Sequence, residues 1–321
     1  MSAATRSFGD KHKTLYASER DCQRYDTELC SRQDHEGAIL RAIESVCPLS
    51  SVCQAADVGA GTGKLARILS PHVASIVVVD RSAEAIAVAQ SRNTVSECAM
   101  HFHVADLRTL PIASESVDLA VAGWAVSYLK SENETWYPDG SSGGPWREEV
   151  DAALAELDRI VAPGGTIILF ETMGTAVESS QRSGSWLYRH FREQAGFSQR
   201  HIRTDYRFPS KRSALSSLSF FFGKGVASRA EKLLAATADE GEPCIVPEVT
   251  GMWWRRKEAA AITASTSCVP ESPQLETVHP QGARSRRSHT AAAALLLVVI
   301  VGAARLARWR AARGPAAGAA V

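Results

Sequence analysis

Apolar and polar positions follow two rhythms along the first 257 residues. After a polar start, Ile39, Leu40, Ile43 and Val46 fall at helical spacing, and Pro48 ends the pattern. Cys53–Val58 is a short apolar run that leads into glycines, and Lys64–Leu69 reads as the start of a helix. Ser75–Val79 is a continuous apolar run of strand length, as expected for a strand covered on both faces. Ala83–Gln90 is helical, Met100–Val104 and Val117–Ala122 are strands, and Arg147–Val161 carries Val150, Leu154, Leu157 and Val161 near a period of 3.5. Pro163-Gly164-Gly165 stops that helix ahead of the strand Thr166–Phe170. Five rounds of strand and helix predict an α/β fold with a parallel sheet. Residues 131–145 are polar and Gly/Ser-rich and read as a loop over the sheet. Further on come a helix at Trp186–Gln194, a strand at Arg200–Phe208, helices at Ser213–Phe222 and Val226–Ala236, and a strand near Val249–Trp254.

The chemistry concentrates at Asp57-Val58-Gly59-Ala60-Gly61-Thr62-Gly63, between a predicted strand and a predicted helix. Glycines there permit a tight turn and close approach of backbone to a ligand. A phosphate-binding loop of the form G-x-x-x-x-G-K-[ST] would need glycine where Val58 stands and Ser or Thr where Leu65 stands. A dinucleotide loop, G-x-G-x-x-G, would need glycine at Lys64. Both fail, and Asp57 would face a pyrophosphate badly. Lys64 reads as a solvated residue of the first helical turn.

The same stretch resembles the D/E-x-G-x-G-x-G motif of class I S-adenosylmethionine-dependent methyltransferases. Asp80 ends the second strand, 21 residues after Gly59, and Asp106-Leu107 follows the third. Leu157–Phe170 is similar to that family's fifth helix-turn-strand unit. The resemblance spans about residues 35–255. It implies a Rossmann-like, mostly parallel seven-stranded sheet with helices on both faces, and S-adenosylmethionine as cofactor. It assigns cofactor contacts to Asp57, Gly59, Ala60, Gly61, Gly63, Asp80, Arg81, Asp106, Leu107 and Gly123. Within that set Asp80 accepts from the ribose hydroxyls and Asp106 lies near the adenine amino group. Asp57 either touches the cofactor or orients the glycine loop through backbone amides.

Methyl transfer is an in-line displacement, so the protein mainly positions the acceptor and excludes water, adding a base when the nucleophile is weak. The carboxyl ends of the strands are where acceptor residues belong. Candidates there are Glu171, Tyr128 and Tyr206 as catalytic residues, with Trp124, Thr172 and Asp205 beside them. Each also has a plain reading. Trp124 and Tyr128, four apart on a predicted helix, would pack; Glu171 would cap a turn; Asp205 and Tyr206 would pair with Arg200, Arg203 and Arg207. His190 and His201 read as surface residues, and no set of three metal ligands is evident. The acceptor class expected is a small molecule, possible in lipophilic form. A non-catalytic scaffold and a protein or RNA methyltransferase are the competing readings.

Composition sharpens this. Hydrophobic residues make up 45% and charged residues 22%, which excludes a wholly disordered chain. The seven cysteines lack a CxxC pair, which fits reduced thiols in a cytoplasmic setting. The formal net charge is +1 over 321 residues, without the basic excess of a dedicated nucleic-acid binder. That total hides an asymmetry. Residues from Glu258 onward carry seven arginines against three glutamates, a net of +4 that leaves −3 for residues 1–257.

The organisation expected is therefore a flexible start over 1–20, a catalytic domain over 21–257 and a disordered linker over 258–289. An apolar helix over 290–309 and a short tail over 310–321 complete it. Thr290–Ala304 is uncharged and flanked by arginines, with Trp309 beyond. At 15 residues it is shorter than the ~20 of a full span, unless Arg305 snorkels. This pattern predicts attachment to a membrane. The expected outcome is carbonate-resistant membrane association of the full chain and not of a chain ending at Lys257; equal solubility of the two contradicts it.

Overall fold

The apolar runs become the strands of one sheet. The computed structural model describes residues 18–93, 97–137, 142–182, 185–235 and 239–259. In chain order the elements begin with α1 (Glu19–Glu28), α2 (Ala38–Glu44), β1 (Gln54–Val58), α3 (Lys64–Leu69), β2 (Ser75–Asp80) and α4 (Ala83–Arg92). Then come β3 (Ala99–Val104), β4 (Val117–Gly123), α5 (Val126–Asn133), the two-residue strands β5 (Thr135–Trp136) and β6 (Ser142–Gly143), α6 (Trp146–Ile160) and β7 (Val161–Thr175). The chain continues through α7 (Trp186–Glu193), β8 (Ser198–Arg203), β9 (Tyr206–Phe208), α8 (Lys211–Phe222), α9 (Lys224–Leu234), β10 (Cys244–Val246) and β11 (Glu248–Arg256).

Seven strands pair in the order β3-β2-β1-β4-β7-β11-β8. All are parallel except β11, which runs antiparallel to both neighbours. This is the Rossmann-like arrangement that the resemblance implies. Strand order reverses between β1 and β4, so a crevice opens beyond their carboxyl ends, and the glycine loop leaves β1 there.

The central strands are largely apolar because successive side chains enter two different cores. Ile167 and Leu169 of β7 join Trp253 and the inner stripe of α6 (Trp146, Val150, Leu157) on one face. Ile168 and Phe170 join Met252, Leu119, Leu65 and Ile43 on the other. A third core, with Leu29, Phe208, Leu218, Leu234 and Val246, ties the end of α1 to α8, α9 and the β9–β10 pair.

Several expectations change. The polar start is not loose to residue 20. Ser18 caps α1, its hydroxyl oxygen accepting from the Asp21 amide at 3.2 Å. The helix escapes an apolar-periodicity search because its mean hydropathy is low and it is held by polar contacts. Asp26, 2% exposed, accepts from the Thr62 hydroxyl at 2.9 Å, from Arg67 at 2.8 Å and from Arg92 at 3.0 Å. Thus α1 is latched to the glycine loop and to α4. Strand β7 is longer than expected, and the predicted strand Arg200–Phe208 breaks at Thr204 into β8 and β9. Within 131–137 and 142–145 the chain ends α5 and forms the short β5–β6 pair where a plain loop is predicted. The predicted linker and apolar segment, 260–321, lie outside the described residues, as do residues 1–17. No helix among the described residues is long and apolar enough to cross a membrane.

Removing the Asp26 carboxylate would strand two arginines. Fully buried pairs lose ~3–5 kcal/mol on such a change, but Arg67 and Arg92 keep 27% and 45% exposure. Asp26→Ala is expected to cost about 2 kcal/mol in denaturant unfolding; a loss below about 0.5 kcal/mol would show that the latch is incidental.

Candidate active site

Asp57 ends β1 with no exposed surface. Its Oδ2 accepts from the Ala66 amide in the first turn of α3 at 2.8 Å, so it fixes where the helix begins. Its Oδ1 has no hydrogen-bond partner among the described residues. Burial pushes this carboxyl up to about 7, with the Asp80 charge adding and the Ala66 amide opposing. Between the two, Gly59 and Gly61 have φ of +67° and +53°. A Cβ on Gly59 would stand 2.4 Å from that of Ala125, whereas one on Gly61 would meet nothing within 4 Å. The loop is thus packed at its base and open at its crest.

Asp80 closes the other side. Its Oδ2 accepts from the Gly61 amide at 2.8 Å and its Oδ1 from the Ser82 amide at 2.9 Å. Each oxygen keeps a lone pair for a further donor. Burial raises this carboxyl as well, against those two amides. Around the loop lies a cavity of about 420 Å³, within the usual range for small-molecule sites. Asp57, Gly59, Ala60, Gly61, Asp80, Arg81, Asp106, Leu107 and Gly123 all line it. Gly63 does not; it precedes α3 with φ +78° and packs toward Ala89. The Asp106 carboxylate is held in a two-pronged pair with Arg108, at 2.7 Å on each oxygen, and Arg108 also binds Glu149. That pairing lowers the Asp106 carboxyl. Arg81 is likewise committed to Glu132.

Lys64 corrects the sequence reading. It is half-buried: it lines the cavity, its Nζ donates to Gln33 Oε1 at 2.8 Å, and it lies 5.4 Å from the Trp124 ring centre. Burial brings its ammonium down to about 8, with nearby Cys30 and Asp34 opposing. Trp124 is not on the helix but just before α5, at φ +53°, where it stacks on Phe170.

A larger cavity of about 790 Å³ adjoins the first, and Tyr25, Gln33, Trp124 and Tyr128 line both. Glu171 and Tyr206 line this second cavity. Glu171, 1% exposed, accepts from the Ser127 amide at 2.8 Å and so caps α5, as the plain reading held. Its Oε2 is unpartnered among the described residues. Glu248, also 1% exposed, accepts from the Thr172 hydroxyl at 2.7 Å and likewise leaves Oε2 unpartnered. Burial pushes both carboxyls up to about 7, against Ser127 for Glu171 and the Thr172 and Thr175 hydroxyls for Glu248. Tyr206 is buried and stacks on Phe208 rather than pairing with arginines. Asp205 does pair, with Arg203. His190 is buried and bonded to Asp151 at 2.6 Å, contrary to its surface assignment, while His201 is exposed. Tyr25, Gln33 and Glu248 were missed as cavity residues. Only Glu248 had a local signal, a carboxylate opening an apolar strand.

Comparison with known proteins agrees with this geometry. Residues 56–169 match the family described as "Methyltransferase domain". Among curated proteins, the malonyl-(acyl-carrier protein) O-methyltransferase of Pseudescherichia vulneris is 26% identical over 50% of this chain and 54% of its own. That of Pectobacterium atrosepticum is 30% identical over 43% of this chain and 46% of its own. The chain thus spans about half the length of these relatives. A solved structure with a similar fold is the N-methyltransferase NodS of Bradyrhizobium japonicum in complex with S-adenosyl-L-homocysteine. It is 15% identical, covers 77% of this chain and 98% of its own, and has a TM-score of 0.44.

Asp57, Glu171 and Glu248, each raised to about 7, make stability pH-dependent. The folded state holds their protons at pH values where the unfolded chain has released them. Their contribution is full below pH ~4 and is lost as pH rises through about 7. Glu171→Gln mimics the protonated form. It is expected to raise the unfolding midpoint relative to wild type at pH 8 and to change it little at pH 5. An equal effect at both values would mean that Glu171 is already ionised at pH 5.

Proposed function

We propose that the chain transfers a methyl group from S-adenosylmethionine to a small acceptor in the larger cavity. The observation that carries this is the wall shared by the two cavities, at Trp124 and Tyr128, behind a glycine loop bracketed by Asp57 and Asp80. When bound, the cofactor supplies a methyl carbon activated by a positively charged sulfur. The residues present fit it. Asp57 and Asp80 line the cavity on either side of the glycine loop, and Asp57 has an unpartnered oxygen, which suits an ammonium and ribose hydroxyls. The nearby cations Lys64 and Arg81 are committed elsewhere, so no phosphate clamp is built.

Within that reading, Asp80 holds the ribose and Asp57 the amino group of the methionine part. Gly59, Ala60 and Gly61 let the backbone approach, and Leu107 packs against the loop base. The Asp106 carboxylate, tied to Arg108, meets the adenine edge only with its remaining lone pairs. Tyr128 stands where cofactor and acceptor meet. Glu171, titrating near neutrality, accepts a proton from an acceptor that must lose one before attack. Tyr206 shapes the far wall. The curated relatives are named for a malonyl acceptor, and Arg182 and Arg229 on the rim of the larger cavity give an anionic acceptor a second, weaker claim.

Calorimetric titration of the full chain with S-adenosylmethionine and S-adenosylhomocysteine tests the reading. Saturable binding is expected. Asp80→Ala should weaken it at least ~10-fold through the lost charge-assisted bonds. Heat-free titrations with both compounds would favour the non-catalytic scaffold.

A further inference from the structure

S-adenosylmethionine carries one anionic group, the carboxylate of its methionine part. Asp57 and the glycine loop, which meet that part in the reading above, offer a carboxyl group and backbone but no cation. The cations lining the smaller cavity are Lys64 and Arg81, and they belong to different ends of it. Arg81 is bound to Glu132 and also feels the charges of Asp80 and Asp106, the acids of the ribose and adenine end. Lys64 stands at the other end, beside Gln33 and Trp124, which line the larger cavity as well.

Lys64 is paired with neutral oxygens only. Its Nζ donates to the Gln33 carbonyl at 3.3 Å and to Gln33 Oε1 at 2.8 Å, and it makes no ion pair among the described residues. An ammonium has three N–H groups, so one remains. Gln33 is itself fixed. It is 8% exposed, and its Nε2 donates to Thr204 Oγ1 at 3.1 Å, with Oε1 turned to Lys64. Burial works against this ammonium, and the charges of Cys30 and Asp34 oppose that only in part. Asp34 spends its oxygens on the Ala38 and Ile39 amides.

A desolvated cation with a spare donor is stabilised by an anion that accepts from it. One N–H matches one carboxylate oxygen, not the several oxygens of a phosphate. The methionine carboxylate is four bonds from the sulfur, so a residue beside the shared wall at Trp124 is one it can meet. We infer that the Lys64 ammonium, held by Gln33, is the counter-charge for the methionine carboxylate of S-adenosylmethionine. The carboxylate in turn offsets the repulsion between this ammonium and the sulfonium. The inference rests on the methyltransferase reading and assigns that site a specificity-determining residue.

The test is calorimetric titration of the full chain at pH 7 with S-adenosylmethionine and with decarboxylated S-adenosylmethionine, which lacks only the carboxylate. 5′-Methylthioadenosine, which lacks the whole amino-acid part, reports on the adenosine end and on folding of each variant. The wild-type chain is expected to bind S-adenosylmethionine at least ~10-fold more tightly than the decarboxylated compound. Lys64→Met should weaken S-adenosylmethionine at least ~10-fold, leave the other two ligands unchanged and so abolish the preference. Lys64→Arg should keep part of it, since the charge stays. If Lys64→Met does not bind methylthioadenosine, Lys64→Gln, which can still bond to Gln33, takes its place in the comparison. Absence of S-adenosylmethionine binding by the wild-type chain overturns the methyltransferase reading and this inference with it. Normal binding with equal wild-type affinities for the two cofactors overturns this inference alone, with no variant needed. So does a Lys64 variant that weakens both cofactors equally or neither.

Discussion

A single carboxylate at the end of a buried strand governs the arrangement. Asp57 has no exposed surface and spends one oxygen on the Ala66 amide, so β1 and α3 are joined at a fixed angle across three glycines. Such a group is costly to bury, and only a constrained partner offsets that cost. The glycines answer to the same constraint. With Ala125 crowding the base of the loop, Gly59 has no room for a Cβ, while Gly61 turns its amide to Asp80. The loop crest is therefore preorganised between two carboxyl groups, with one acceptor left over.

The second consequence is electrostatic. The site gathers Asp57, Glu171 and Glu248 where burial holds each near a neutral, proton-bearing form, while its cations are paired or lie at the rim. A phosphate-bearing cofactor is poorly matched to that distribution, and a sulfonium is well matched. The N-terminal helix belongs to the same design. Through Asp26 it grips Thr62 and Arg67, and through Tyr25 it lines both cavities, so the two cavities share one wall.

Much of this was legible before any coordinates. Apolar runs such as Ser75–Val79 and Thr166–Phe170 announce strands covered on both faces, and glycines after Asp57 announce a close-approach turn; these are local signals. The acids at strand ends, Asp80 and Glu171, followed from register. What escaped depends on distant partners. Helix α1 is polar along its length and is ordered by contacts with Arg67 and Arg92. Lys64 has the look of a solvated first-turn residue until Gln33, 31 positions earlier, folds over it. His190 is buried against Trp146 and bonded to Asp151, both of α6. Glu248 gains its meaning from lying across from β7. Burial of polar groups is a tertiary property, and hydropathy periodicity does not record it.

The central claim is that the two cavities are the two halves of one transfer site. A crystal structure of the full chain with S-adenosylhomocysteine tests it most directly. The account predicts the methionine end of the ligand at Asp57 and the glycine loop, the ribose at Asp80, and the sulfur at the wall formed by Trp124 and Tyr128, open to the larger cavity. A sulfur turned away from that wall, or closed off from the larger cavity, would contradict it.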